Sequence, residues 1–111
     1  MRIFLAELLL FSYTQAMDNK TKKKLKSAAH HLNPVVIVGA QGLTPAVHQE
    51  IEIALESHQL IKLRLNAENR EARQALMKGI LDEHHAELIQ KIGSTMTIYR
   101  QSESSISPLD D

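Results

Sequence analysis

Val35-Val36-Ile37-Val38-Gly39-Ala40-Gln41-Gly42-Leu43-Thr44-Pro45 is the stretch from which the fold class of this 111-residue chain can be read. Four consecutive apolar residues, all β-branched, predict a strand buried on both faces. Two glycines three positions apart then allow the chain to turn. Thr44 suits a helix N-cap and Pro45 a first helical residue, so a helix follows. Strand, glycine turn and capped helix in that order are the opening of a βαβ unit.

Working outward, the same alternation of elements continues. Before the strand, Leu25, Ala28, Ala29 and Leu32 recur at helical spacing, and Asn33-Pro34 ends that helix. After the turn, Val47, Ile51, Ala54 and Leu55 form the inner stripe of a helix ending near Ser57. Ile61, Leu63 and Leu65 alternate with Lys62, Arg64 and Asn66, the pattern of a strand with one wet face. A third helix is predicted from about Asn69 to His84, with Ala72, Leu76, Gly79 and Ile80 inward. Gly79 costs helix propensity, which implies close packing against the sheet. Strands at Glu87 to Ile92 and Thr95 to Arg100 are joined by Gly93-Ser94, suited to a type II′ hairpin. The order α-β-α-β-α-β-β predicts a two-layer α/β domain. Its mixed four-stranded sheet carries helices mainly on one face.

The ends read differently. Ile3 to Phe11 is apolar behind Arg2, but Glu7 interrupts it and Thr14-Gln15-Ala16 is a poor signal cleavage site. The run is too short to span a membrane. Residues 1–17 therefore read as an extension, from an upstream start codon or as a short added helix, before a domain over 18–100. The Ser-rich, acidic tail over 101–111 has no periodicity and is expected to be disordered. The chain has no cysteine, which excludes disulfides and thiolate metal sites and fits a reducing cytoplasm.

Net charge is zero, yet only Arg2 of the 13 basic residues lies outside 18–100, against Glu7, Glu103, Asp110 and Asp111 of the 13 acidic ones. That leaves 12 basic residues against nine acidic ones, or +3, in the domain. Lys20, Lys22, Lys23, Lys24 and Lys26 crowd together on the first helix. Such a run reads either as a phosphate-binding patch or as a solvated helix face.

Gly39-Ala40-Gln41-Gly42 can meet a phosphate through its backbone at a helix start, as GXXG loops of RNA-binding KH domains do. The same turn also arises wherever a chain must simply reverse. Neither GxGxxG nor GxxxxGK is present, so the dinucleotide and P-loop readings fail. His30-His31 and His84-His85 are poor metal chelators, because adjacent helical residues point about 100° apart. No nucleophile elbow or converging carboxylate pair is visible, so no enzyme and no cofactor are expected. Arg70, Arg73 and Lys78 are interspersed with Glu71 and Asp82, the pattern of a solvated face.

The stretch Ala29-His30-His31-Leu32-Asn33-Pro34-Val35-Val36-Ile37-Val38-Gly39-Ala40-Gln41-Gly42-Leu43-Thr44 resembles the signature of the YhbY family. These are stand-alone bacterial versions of the CRM domain, an RNA-binding module also found in plant organelle splicing factors. Glu50 to Leu55, Leu60-Ile61-Lys62 and Arg70 match further, as does the closing Gly93-Ser94-Thr95-Met96-Thr97-Ile98-Tyr99-Arg100. The similarity runs in order from about Lys20 to Arg100. It implies a fold like the C-terminal domain of translation initiation factor three and no enzymatic activity. It also implies association with precursors of the large ribosomal subunit. Many members carry lysine after the first glycine, where this chain has Ala40.

The expected partner is thus RNA, that of the large subunit or a pre-ribosomal particle, met by a cytoplasmic monomer without membrane attachment. The expected contacts are Gly39, Ala40, Gln41, Gly42, Leu43 and Thr44, with Lys20, Lys22, Lys23, Lys26, His30, Lys62 and Arg64. Two other classes compete. One is a protein-interaction adaptor on the ribosome, docking through Ile3 to Phe11. The other is an enzyme that binds a small anion or a nucleotide.

Overall fold

A computed structural model describes residues 18–102. The predicted extension over 1–17 lies outside them, as does the tail from Glu103 onward. The order is α1 (Asn19–Ala29), β1 (Pro34–Val38), α2 (Pro45–His58), β2 (Leu60–Leu65), α3 (Arg70–His84), β3 (Glu87–Ile92) and β4 (Thr95–Tyr99). Each helix begins at a side-chain cap. Asp18 accepts from the Thr21 amide at 2.7 Å, Thr44 from Val47 at 3.2 Å and Asn69 from Ala72 at 2.8 Å. Each bond satisfies a donor that the first helical turn leaves without a partner.

The four strands form one sheet in the order β1-β2-β4-β3. β1 and β2 are parallel, joined across α2, while β4 runs antiparallel to both β2 and β3. The hairpin therefore slots its last strand between β2 and β3. Gly93 begins that hairpin turn with φ +58°, a conformation available to glycine without strain.

The two sheet faces are covered unequally. Ile61, Leu63 and Leu65 meet α2 and α3 through Ile51, Leu55, Met77 and Ile80, and this is the main core. Full burial contributes roughly 1.5–3 kcal/mol for each such side chain. Leu60 lies on the opposite pleat face, where with Ile89 it packs beneath Leu25 and Ala29 of α1. Two helices thus share one face, and α1 covers one end of the other.

That arrangement corrects the expected double burial of β1. Val36 and Val38 are buried, but Val35 and Ile37 are 53% and 57% exposed. β1 is an edge strand, and α1 does not reach its outer pleat. Gly79 does permit close packing, but against another element than expected. A Cβ there would meet Cδ1 of Leu43, just after the glycine turn, at 2.9 Å.

Candidate nucleic-acid interface

The glycine turn closes on itself. The Gly42 amide donates to the Gly39 carbonyl at 3.0 Å, and the Thr44 amide to the Gly42 carbonyl at 3.1 Å. Gly42 takes φ +75°, which explains a glycine there. Gly39 has no positive φ, and a Cβ on it would meet nothing within 4 Å. The fold itself therefore does not require Gly39.

The turn leaves more backbone donors for a ligand than the first turn of α2 does. Pro45 has no N–H, and the Val47 amide is already bound by Thr44. At the start of α2 only the Ala46 amide is left without an acceptor among the described residues. On the turn the amides of Ala40, Gln41 and Leu43 are likewise without one. Ala40 and Gln41 are exposed, whereas Leu43 packs its side chain against the main core and presents only backbone.

Lys62 and Arg64 lie on the pleat face that α1 covers only at Leu60. Arg64 sits beside Ile37 of β1 and Thr95 of β4, and Lys62 beside Thr97. Lys62 also borders a cavity of about 500 Å³ with Ala28, His31 and Leu32 at the end of α1. Lys20, Lys23 and Lys26 are exposed on α1, Lys22 is half-buried, and His30 is exposed with its ring edge-on to His31. The end of α1 leads into one end of β1 and the glycine turn leaves the other, about 16 Å away for five extended residues. Lys62 and Arg64 fall between them on the uncovered sheet face.

Three features escaped the sequence reading. Arg73 is not on a solvated face. It lines a cleft of about 740 Å³ with Gly39, Gly42 and Asn66. Its Nε is shut off from solvent and has no hydrogen-bond partner among the described residues. Second, His84 is 1% exposed and pairs with His48 rather than with His85. Its Nε2 is 2.8 Å from His48 Nδ1, and its Nδ1 bonds Glu52. The signal was available, because His84 extends the buried stripe of Met77 and Ile80 by one turn. Third, Arg100 grips Glu52 and donates to the His84 carbonyl at 3.0 Å. These bonds, Arg100 first, push the Glu52 carboxyl down from 4.5 to about 2. Ser102 continues this seam, donating to the Glu56 carboxylate at 2.6 Å. Tyr99 packs beneath α1.

Among the described residues, no group of three or more His, Cys, Asp or Glu could hold a metal ion. No helix there is long and apolar enough to cross a membrane.

The sequence model of the CRS1/YhbY (CRM) domain matches residues 17–100. The chain belongs to the CRS1/YhbY family. Its CRM relatives include an RNA-binding protein of Haemophilus influenzae, 44% identical over 89 residues, covering 80% of this chain and 90% of that protein. A probable RNA-binding protein of Pseudomonas aeruginosa is 40% identical over 87 residues, covering 78% and 84%. The solution structure of a Staphylococcus aureus protein superimposes with a TM-score of 0.67 at 31% identity. It covers 78% of this CRM chain and 90% of its own. The α/β fold with three helices and a mixed four-stranded sheet is the fold of that neighbour.

Proposed function

We propose that this protein binds structured RNA of the large ribosomal subunit precursor as an assembly factor, by contact and without catalysis. The observation that carries this reading is the placement of Lys62 and Arg64. They stand on an open sheet face between a lysine-rich helix and a turn with free amides. A phosphate backbone laid along that strip would meet lysine charge at one end, Lys62 and Arg64 in the middle, and uncharged backbone donors at the turn. The resemblance to RNA-binding relatives supplies the polymer, and the bacterial family's association with large-subunit precursors supplies the particle.

Affinity drawn from phosphates falls with salt, by a slope of about −0.9 per phosphate neutralised. Binding to large-subunit ribosomal RNA fragments, titrated from low to moderate salt, tests this. Exchanging Lys62 and Arg64 together for Gln should weaken binding and reduce the slope by about two. A flat salt dependence would sink the reading. Val35, Ile37 and Ile92 are exposed, and this favours a second reading, in which this protein is an adaptor docked on a ribosomal protein. Co-sedimentation that survives nuclease treatment of the particles would support the adaptor.

A further inference from the structure

The cleft beside the glycine turn has a rigid floor and an unsatisfied wall. Its floor is tied together where three strands end. The Leu65 amide donates to the Ser94 carbonyl at 2.7 Å, and the Asn66 amide to the Val38 carbonyl at 2.9 Å. Leu65 and Leu76 give it apolar surface, and Gly39 opens it to the turn. The wall carries Arg73, whose guanidinium makes no hydrogen bond or ion pair among the described residues, with Nε already removed from water. The Arg73 side chain thus brings to the cleft a positive charge that no carboxylate among the described residues neutralises, and a phosphate entering the cleft would be its counter-ion.

We propose that this cleft seats one unpaired nucleotide of RNA, with Arg73 as the cation that binds its phosphate. This subsite presupposes the RNA-binding reading above and adds which part of the RNA is recognised. The free amides of Ala40, Gln41 and Leu43 lie on the turn that forms one side, so a phosphate can meet backbone donors and guanidinium together. Arg73 thereby supplies the charge that Ala40 withholds from the turn. At about 740 Å³ the cleft is within the size range of small-ligand sites and admits a nucleotide. The leucines offer a surface to the base. Asn66 and Glu68 offer polar groups to its edge or to the ribose hydroxyl, where Glu68 would repel a second phosphate. A base held in a duplex cannot enter, because pairing and stacking keep its edges inside the helix.

The test compares a mixed-sequence single-stranded oligoribonucleotide with the same strand annealed into a duplex, each titrated against the full chain. The single strand should bind at least tenfold more tightly. Arg73→Met should erase most of that preference while leaving duplex binding unchanged, and Arg73→Lys should restore part of it. The melting temperature of Arg73→Met should hold or rise, because the change removes a buried donor with no partner. Gly39→Ala, which the fold tolerates sterically, should also weaken single-strand binding. The subsite is overturned if Arg73→Met weakens both RNAs equally, leaves single-strand binding unchanged, or lowers the melting temperature by several degrees. If the unaltered protein binds neither RNA, the RNA-binding reading falls and takes the subsite with it. If that protein binds both RNAs but without preference, the subsite alone falls.

Discussion

Arg100 closes both terminal guanidinium nitrogens on the carboxylate of Glu52, 48 positions earlier in the chain, at 2.8 and 3.1 Å. The pair joins the end of β4 to α2. Through the His84 carbonyl, the same guanidinium also reaches the end of α3. The Tyr99-Arg100 ending that resembles the family signature is therefore used inside the fold. Tyr99 packs under α1, and Arg100 fastens the two helices of the opposite face.

Acid should loosen this fastening. Glu52 titrates near 2 when folded and near 4.5 when free of its partners, so its stabilisation is complete above 4.5 and is lost as pH falls toward 2. The side chain is 46% exposed, so solvent screening reduces the effect to about 1 kcal/mol. Glu52→Gln should be less stable than the unaltered protein at neutral pH, with the difference shrinking between pH 4.5 and 2. Thermal unfolding of both proteins across that range is the measurement. A gap that stays constant with pH would refute the assignment.

His84→Ala should be severe. It removes a fully buried ring and its bonds to His48 and Glu52, at a cost of about 3 kcal/mol. His85→Ala, at an exposed position on the neighbouring residue, has no such ring to lose. Denaturant titration of the two variants should show a large midpoint shift for His84 alone.

Gly79 and Leu43 should behave as a coupled pair. Alanine at position 79 gains about 1 kcal/mol of helix propensity but pushes Leu43 Cδ1, 2.9 Å from the new Cβ. In the unaltered background the two effects should nearly cancel. In a Leu43→Ala background the clash is gone, and Gly79→Ala should stabilise by about 1 kcal/mol. A double-mutant cycle with no coupling would mean that the contact has no energetic weight.

The two glycines of the turn should separate. Gly42→Ala forces a side chain into φ +75° and should cost about 1 kcal/mol. Gly39→Ala meets open space at an ordinary φ and should change stability by less than about 0.5 kcal/mol. Equal losses in unfolding experiments would show that the turn constrains both positions alike.

Much of this fold could be read locally. The 3.6-residue and two-residue periodicities, the cap at Thr44 and the Gly93-Ser94 hairpin are properties of short windows, and the chain follows them. The alternation in Leu60 to Leu65 also placed Lys62 and Arg64 on an outward face. Tertiary structure decided what covers each face. Val35 and Ile37 read as core because they are apolar, yet they face solvent because β1 lies at the sheet edge, beyond α1. Arg73 read as solvated because acidic residues surround it in sequence. It lines a cleft because three strand ends and the glycine turn meet beside it. His84 and Arg100 found Glu52 across more than thirty positions, a pairing no window contains. Sequence determines which surfaces each element offers, because those depend on backbone period and side-chain chemistry. Which surfaces stay uncovered, and which distant groups converge, depends on strand order and helix docking. These are settled only when the whole chain packs.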